Sequence, residues 1–428
     1  MKFLFADTAD TVDPAFDFER TRSPRQRRVH DDDEYPHEHL VRAPYDGILL
    51  SRAAFSDHRR SGKYGAARSM RFRREGARTF LRYPEEKFGG SIVMGDCGAF
   101  SYRDAEVPLY SVDDTLGFYA DGGFTHGCSV DHLIFDFFLD DRKPSEEARR
   151  RQEITLTLAA DFHRTSAALG SSFTPMGAIQ GWSPASMADA AADLVKMGYD
   201  SLALGGMARS STDDIELALK AVNQRLGPSK IAIHVLGFGK VEDAPRLKRL
   251  GVTSFDTTSP LLRAFKDDKQ NYFEADGDRL GHYTAVRIPQ AADDRHARAS
   301  VKARAVGQEE LIRLERIALG AVRSYAAGNG ELEQTVDRII DYVSVVLWKD
   351  KKSDKSNAAE FAKLRSVYLR SLGERPWERC NCRVCRELGV EALIFRSTNH
   401  NKRRGFHNLA VFHDLLTSQA KVPHEEDD

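Results

Sequence analysis

Three aspartates each follow a short apolar run, directly or after one glycine: Asp96, Asp136 and Asp256. If these runs are buried strands, the aspartates lie at strand ends, where barrel enzymes collect their catalytic groups. Two carboxylates at such a place can carry out a retaining glycosyl exchange, in which one attacks the sugar carbon and the other handles protons. An aspartate after a strand can equally cap a helix or order a turn. The recurrence of the pattern favours the chemical interpretation.

Two further apolar runs end in an amide or in glycines. Gln180-Gly181 follows one run, and Gly205-Gly206 follows the next. An amide together with a third carboxylate suits the amide edge of a purine, and glycines let backbone groups approach a flat base closely. Phe100, four residues after Asp96, would stack on that base. The strand ends therefore predict a base-binding pocket beside the carboxylates.

Short apolar runs alternate with amphipathic segments over the first 290 residues. The predicted strands are Gly47–Leu50, Ile92–Met94, Asp131–Phe135, Pro175–Ile179, Ser201–Leu204, Ile231–Leu236, Val252–Phe255 and, as an eighth, Tyr283–Ile288. Ser186–Met197 and Asp213–Arg225 have helical periodicity. Eight short strands alternating with helices favour a closed (β/α)8 barrel, of the TIM-barrel type, over an open sheet. No GxGxxG or P-loop pattern occurs, so no nucleotide cofactor is expected.

Charge is balanced overall but not locally. The 428 residues carry a formal net charge of −1, which excludes a polycation, yet nine basic residues between 58 and 82 face a single acid, Glu75. Such a segment suggests a surface that follows phosphates. The residues proposed for nucleic-acid contact are Arg59, Arg60, Lys63, Arg68, Arg71, Arg73 and Arg74, with Arg403 and Arg404 as a weaker second choice.

Three of the five cysteines lie within six residues, at Cys380, Cys382 and Cys385. With a histidine they would complete a closed tetrahedral zinc site, which serves folding rather than catalysis. His400, His407 and His413 are all within reach as the fourth ligand, and the Asn that follows His407 favours that one. Redox-active cysteines are the less favoured alternative, because histidines follow.

Strand signals end near residue 305, and three helices are predicted at 309–325, 331–347 and 358–372. We therefore expect a barrel catalytic domain over 1–305, with residues 1–45 as a solvated leader packed on it. A helical segment would follow over 306–375, and a zinc-binding subdomain over 376–428 would end in an acidic, disordered tail. With no apolar run near 18 residues and no signal peptide, the expectation is a soluble, cytoplasmic protein without a membrane partner.

The order of these motifs resembles that of the tRNA-guanine transglycosylases, zinc-bearing barrels that exchange guanine for a 7-deazaguanine. The family's Asp-Ser-Gly-Gly-aromatic-Gln motif is similar to residues 96–101, and its nucleophile segment Gly-Val-Asp-Xaa-Phe-Asp is similar to residues 251–256. Its base-edge acid, Gln-Gly pair, Gly-Gly-Leu and zinc signature resemble the corresponding residues here: Asp136, Gln180-Gly181, Gly205-Gly206-Met207, and Cys380, Cys382, Cys385 with His407-Asn408. The resemblance implies that Asp256 is the nucleophile, Asp96 the general acid and base, and zinc the structural metal.

The departures from the family are also informative. Cys97, Ala99 and Ser101 replace Ser, Gly and Gln, and the family's tRNA-gripping stretch is replaced by residues 257–265. With the leader and the shorter cysteine-to-histidine gap, this resembles the DNA-modifying branch, which inserts 7-cyano-7-deazaguanine (preQ0) into DNA. The expected partners are therefore duplex DNA with a flipped-out guanine and a free 7-deazaguanine base.

Two alternatives remain open from sequence: a tRNA-guanine transglycosylase of the queuine or archaeosine type, and a non-catalytic, zinc-stabilised nucleic-acid-binding subunit. A metal-dependent barrel hydrolase is disfavoured, because His132 and His234 are the only strand histidines and core packing is the better explanation for mid-strand histidines. The need for a helper protein that opens the duplex is undetermined. So is the oligomeric state, for which a homodimer is one option.

Overall fold

Eight parallel strands close into a barrel in a computed structural model that describes residues 1–140, 142–228, 230–292, 306–348 and 352–419. The strands are β1 Lys2–Ala6, β2 Gly47–Ser51, β3 Ile92–Asp96, β4 His126–Cys128, β5 Thr174–Ile179, β6 Ser201–Leu204, β7 Ala232–Val235 and β8 Val252–Thr257. Each strand pairs with the next, and β1 pairs with β8 to close the ring. The predicted (β/α)8 barrel is confirmed.

The barrel interior is a packed core. Successive side chains on a strand point to opposite faces, so one residue per strand reaches the same interior layer. The layer consists of Leu4, Leu49, Met94, Cys128, Met176 and Ala203 from β1 to β6. These six side chains fill the centre of the barrel.

Helices separate the strands and begin at sequence-encoded caps. In the barrel unit they are Ala66–Phe80, Glu85–Phe88, Val112–Gly122, Glu146–Ser166, Pro184–Lys196, Thr212–Leu226 and Ala244–Arg249. Serine precedes four of them, at 111, 145, 183 and 211, and its hydroxyl accepts a hydrogen bond from a backbone N–H of the first turn. The two helices predicted between strands are confirmed within two residues at each end.

Three strand predictions are wrong. The first strand of the barrel is Lys2–Ala6, in the segment expected to be a solvated leader. The fourth strand is His126–Cys128 rather than Asp131–Phe135, which has no regular secondary structure. A Cβ at Gly127 would stand 2.5 Å from the Tyr119 ring, so close packing requires a glycine there and removes the apolar signal of a strand.

The third error concerns Tyr283–Ile288, which is not a barrel strand. Tyr283 ends β10 (Arg279–Tyr283), which forms a hairpin with β9 (Tyr272–Asp276). β11 (Val286–Arg287) pairs in parallel with β12 (Ile394–Phe395). The eighth position of the barrel is taken because β1 comes from the amino terminus.

Packing divides the chain into two compact units. Of the described residues, the first unit contains those within 1–10, 45–258 and 416–419, and the second contains those within 11–44 and 259–415. Besides β9–β12, the second unit has the helices Pro36–His39, Ser259–Lys266, Gln308–Ala326, Leu332–Val346, Asp354–Gly373, Pro376–Arg379, Arg383–Leu388 and most of Thr398–Gln419. The three helices predicted after residue 305 are confirmed.

These units group the chain differently from the division 1–305, 306–375 and 376–428, which followed sequence order alone. Segment 11–44 packs with residues far along the chain: the Asp13 backbone N–H donates to Asn399 Oδ1 at 2.9 Å. The boundary at 305 and the acidic tail lie outside the described residues. None of the helices in the described ranges combines the length and apolar character needed to cross a membrane.

Candidate active site and metal cluster

Asp256 lies near the carboxyl end of β8 with one carboxylate oxygen held by two donors. Its Oδ1 is 3.0 Å from the Gly237 backbone nitrogen, which donates to it, and 3.2 Å from His234 Nε2. The carboxylate is almost fully buried. A buried carboxylate oxygen without a hydrogen-bond donor is costly, and these two partners satisfy Oδ1. The arrangement occupies Oδ1 and leaves Oδ2 for other chemistry.

Asp96 ends β3, beside the end of β2, and its environment differs from that of Asp256. Loss of hydration and the negative charge of Asp131 raise the pKa of Asp96 to about 6, although the Gly98 N–H and the Ser51 hydroxyl oppose the shift. The charge of Asp256 raises it as well. Asp96 can therefore hold or release a proton near neutral pH, which is the property of a general acid and base.

A third carboxylate, Asp131, anchors a buried hydrogen-bond network at the end of β4. Its Oδ1 accepts from Cys97 Sγ at 3.0 Å, and its Oδ2 accepts from Gln180 Nε2 at 2.6 Å. Tyr102 donates to the Asp131 carbonyl at 3.0 Å. Burial raises the pKa of the Cys97 thiol well above its ordinary range, and the charges of Asp131 and Asp96 add to this. Cys97 is thus a neutral donor and not a nucleophile.

Asp136, the predicted base-edge acid, is not part of the buried network around Asp131. It is exposed on the irregular segment after β4, while Asp131 is 4% exposed and bound to Gln180. The strand ends at Cys128, seven residues before the predicted end at Phe135, so the first carboxylate after it is Asp131. Asp131, and not Asp136, is therefore the buried carboxylate beside Gln180. Asp131 does follow the strand in the sequence. His126–Val130 is not a continuous apolar run, however, so the sequence did not mark these residues as a strand.

The glycines after β5 and β6 are where close packing requires them. A Cβ at Gly205 would stand 2.4 Å from Gln180 Nε2, and one at Gly206 would stand 2.7 Å from the Ile134 carbonyl oxygen. Gly206 also has φ +74°, in the left-handed region. Gly181 follows β5 and would clash with Met187. Gln180 and these three glycines therefore lie together at the carboxyl end of the barrel, as predicted.

Two exposed aromatic rings lie at this end. Phe100 is 53% exposed and Phe135 is 46% exposed, and their ring centroids are 6.4 Å apart at an interplanar angle of 88°. The Arg103 guanidinium lies 4.6 Å above the Phe100 ring. Phe135 also lines a surface pocket with Gly206 and Arg209. Exposed aromatic rings and guanidinium groups are the elements of a base-stacking surface.

The basic segment is less positive in space than in sequence. Arg59 pairs with Asp114 at 2.7 Å and Arg73 with Asp121 at 2.6 Å, so acids from another helix offset part of its charge. Arg71 and Arg74 both reach Glu75. Arg68 lies over the Phe80 ring, Lys63 donates to the Thr8 carbonyl and the Arg60 backbone donates to Asp57. Three aromatic residues lie between the basic residues in the sequence, but they are buried and are not a stacking surface: Tyr64, Phe72 and Phe80.

The second unit contains the cysteine cluster. Ligand atoms of Cys380, Cys382, Cys385 and His407 all lie within 4.8 Å of one another. His407 Nδ1 is 3.3–3.4 Å from each sulfur. Three soft sulfur donors and one imidazole form a set that fits a structural metal ion such as zinc. Cys382 also begins the helix Arg383–Leu388, so the motif is held by local structure.

Surrounding groups orient the histidine ligand. His407 Nε2 is 2.8 Å from the Phe273 carbonyl oxygen, which leaves Nδ1 to face the sulfurs. The Tyr272 ring stacks on the imidazole with centroids 4.1 Å apart. His400 is instead bound to Glu391 at 2.9 Å.

The weaker nucleic-acid choice does not fit the structure. Arg403 and Arg404 are 3% and 0% exposed. Arg403 donates to the Asp13 carbonyl, and Arg404 donates to the Ile394 carbonyl. Both arginines therefore stabilise the second unit.

Comparison with known proteins adds two relatives. The chain is 38% identical over 426 residues, 97% of its length and 96% of the relative's, to the DNA-guanine transglycosylase of Salmonella montevideo. A stretch of 134 residues, covering 31% of this chain and 35% of the relative, is 30% identical to the queuine tRNA-ribosyltransferase of Aeromonas hydrophila. No protein-family model matches the chain.

The barrel, the paired strand-end carboxylates and these relatives define the class: the chain is a pentosyltransferase of the guanine transglycosylase type. Within that class it belongs to the DNA-guanine transglycosylase family, a branch of the tRNA-guanine transglycosylase superfamily. The predicted resemblance is confirmed. The alternative of a non-catalytic subunit is not supported.

Proposed function

We propose that the protein exchanges guanine in DNA for a 7-deazaguanine base, preQ0, through a covalent deoxyribosyl intermediate on Asp256. The observation that carries the proposal is the unequal environment of two strand-end carboxylates. Asp256 accepts two hydrogen bonds on one oxygen, while the pKa of Asp96 is raised to about 6. One group suits attack and the other suits proton transfer. The name of the Salmonella relative supports DNA as the nucleic acid.

In the first half-reaction, Asp256 Oδ2 attacks C1′ of the target deoxyguanosine from the face opposite the base. The electron pair of the C1′–N9 bond moves to N9 of guanine. Protonated Asp96 supplies the proton that N9 needs, so neutral guanine leaves and Asp96 becomes a carboxylate. The sugar is then held as an ester of Asp256.

The second half-reaction reverses these steps with another base. The Asp96 carboxylate takes the N9 proton of incoming preQ0, and N9 attacks C1′. The C1′–Oδ2 bond breaks and its electron pair returns to Asp256. Two inversions restore the β configuration, and both carboxylates regain their starting protonation. No redox or nucleotide cofactor enters the balance.

Base recognition is assigned to the network at the ends of β4 to β6. Guanine and preQ0 both present N–H donors on one edge, which a carboxylate accepts well. Asp131 provides that carboxylate and Gln180 fixes its orientation, while Gly205 and Gly206 leave the room that the Gln180 side chain and the Ile134 carbonyl occupy. Phe100 would stack on the base face.

Zinc is the metal we propose for the Cys380, Cys382, Cys385 and His407 cluster. Four protein ligands complete a tetrahedron and leave no position for water, so the ion would stabilise the second unit without taking part in the exchange. This assignment is compatible with thiolate and imidazole chemistry.

The target guanine in duplex DNA must leave the base stack, which costs a few kcal/mol. Exposed Phe100 and Phe135 are placed to stack on nucleotides near the pocket. Arg74, whose side chain is 76% exposed, is the strongest candidate for phosphate contact in the basic segment.

The test is label exchange. The protein is incubated with radiolabelled guanine or preQ0 and, separately, duplex DNA, single-stranded DNA and bulk tRNA, with Asp256→Asn as the control variant. Label that enters DNA, and does not enter with the control, is the expected result. Label in tRNA alone would overturn the choice of DNA but keep the chemistry. No label in any nucleic acid would overturn the proposed reaction.

A further inference from the structure

His234 is a buried polar residue that the reaction described above does not use. It lies on β7, is fully buried, and contacts two polar side chains. Its Nδ1 is 2.8 Å from Ser254 Oγ and its Nε2 is 3.2 Å from Asp256 Oδ1. Ser254, His234 and Asp256 therefore form a continuous hydrogen-bonded chain that ends on the proposed nucleophile.

A backbone irregularity brings this chain together. Ile233 pairs with Val252, but the next residue, His234, pairs with Ser254, so Thr253 is an extra residue in β8. The Thr253 hydroxyl donates to the Ile233 carbonyl at 3.0 Å. A bulge of this kind redirects side chains, and bulges are frequent beside active sites. Here it places His234 opposite Ser254, whose side chain shares a face of β8 with Asp256.

The proton positions follow from the partners. An ionised carboxylate can only accept a hydrogen bond, so Nε2 of His234 must donate to Asp256. The Ser254 hydroxyl can then donate to Nδ1 of a ring that carries its hydrogen on Nε2. Gly237 supplies a second donor to the same Oδ1. Both donors act on one oxygen.

We infer that His234 is a positioning residue that, with the Gly237 N–H, restrains Asp256 so that Oδ2 attacks C1′, while the hydrogen bond between Ser254 and Nδ1 holds the orientation of the imidazole ring. The inference rests on the proposed function of Asp256. Donors on Oδ1 also stabilise the carboxylate when it departs in the second half-reaction. The role concerns the chemical steps and not the binding of DNA or base.

The kinetic test compares two replacements at this position. His234→Phe fills the space without a donor, and His234→Gln supplies an amide N–H near the place of Nε2. Loss of one preorganised donor typically lowers kcat about 10²–10³-fold. Because the Gly237 N–H remains, we expect a loss of about 10- to 100-fold in His234→Phe. KM for DNA and for the free base should stay within about twofold. His234→Gln should recover most of the rate, and Ser254→Ala should lose less than His234→Phe.

His126→Gln is the matched control. His126 is a histidine on β4 that is hydrogen-bonded to Thr125 at the amino end of the strand. It should keep the wild-type kcat. Thermal unfolding of every variant checks the fold. Equal rates in His234→Phe and His234→Gln, or a change in KM alone, would overturn the inference and indicate a packing role.

A second measurement does not depend on activity. Proton–nitrogen correlation spectra of protein with ¹⁵N-labelled histidine, assigned by the signal lost in His234→Gln, report the tautomer directly. The Nε2–H form is expected in the wild type, with a changed signal in Asp256→Asn. An Nδ1–H ring, or a signal insensitive to Asp256→Asn, would overturn the inference. If the wild type exchanges no base but shows the expected tautomer, the proposed function fails while the restraint on Asp256 stands.

Discussion

The carboxyl end of the barrel and the cysteine cluster are two polar sites built in opposite ways. The barrel site draws Asp96, Asp131, Gln180 and Asp256 from four different strand ends, more than 150 residues apart in the extreme. Three of the four metal-cluster residues come from one six-residue segment. In the barrel, burial and the charge of neighbouring carboxylates raise the pKa of Asp96. In the cluster, ligand type and spacing suffice to define a metal site. The comparison teaches that reactivity depends on tertiary context, whereas metal ligation can be encoded locally.

The largest effect expected from this comparison is at Asp256. Asp256→Asn should lower exchange by about 10⁴-fold or more, because an amide is a poor nucleophile. It should also abolish the protein–DNA adduct that wild type forms with DNA, seen as a shifted band on a denaturing gel. Zinc content and thermal unfolding should remain those of wild type. An adduct that persists in the variant would show that another residue is the nucleophile.

A substitution in the cysteine cluster should change zinc content and stability, which the Asp256 variant leaves unchanged. Cys385→Ser removes a thiolate ligand, so bound zinc measured by mass spectrometry should fall from one ion per chain. The thermal midpoint should drop by about 10 °C or more, since metal binding contributes folding free energy. Cys97→Ser is the matched control: it changes a buried thiol outside the cluster, and zinc content should not change. Full zinc occupancy in Cys385→Ser would contradict the ligand assignment.

The role of Asp96 in proton transfer should be visible in the pH dependence of the guanine-release rate. Guanine release needs its protonated form, so the single-turnover rate of release should fall as pH rises above about 6. Asp96→Asn should lower that rate about 10²–10⁴-fold and remove this dependence. A wild-type release rate that is flat between pH 5 and 8 would contradict the role.

The same carboxyl group also links pH to stability. A carboxyl pKa raised from 3.8 to about 6 in the folded state costs stability as pH rises through that interval, because the folded protein then holds a proton that the unfolded chain releases. Asp96→Asn should therefore be more stable than wild type above pH 6, and the difference should vanish below pH 4. Chemical denaturation at both pH values measures this, and an unchanged difference would argue against the shifted pKa.

A smaller effect separates the two candidates for the base edge. Asp131→Asn should raise KM for guanine and preQ0 about 10- to 100-fold, because the amide has a single acceptor oxygen and an NH2 group replaces the other one. The matched variant Asp136→Asn changes an exposed carboxylate and should leave KM within about twofold. Steady-state exchange with labelled bases distinguishes them. A larger effect at Asp136 would restore the assignment expected from sequence.

Sequence patterns predicted most of the architecture where periodicity was strong. Six barrel strands and the helices after residue 305 were found because their apolar residues recur at strand or helix spacing. β4 was misplaced, so Asp136 was expected at the strand end, whereas the first carboxylate after the observed strand is the buried Asp131. The strand has only three residues, and its central glycine packs against Tyr119. A three-residue strand whose central glycine makes room for a side chain from a helix shows no alternation of apolar and polar residues in the sequence.

The amino-acid sequence by itself determined the residue types that chemistry needs: carboxylates after strands, glycines beside Gln180, and a Cys-x-Cys-x-x-Cys segment followed by His407. These features can be recognised from spacing along the chain, because the geometry of a strand, turn or helix fixes where residues at a given spacing lie. Tertiary structure alone decided the rest. In the folded chain, Asp114 and Asp121 offset part of the positive charge of the basic segment. A bulge in the adjacent strand places His234 next to Asp256. Burial and charge proximity are properties of the folded chain, so the proton affinity of Asp96 became defined only when the barrel closed.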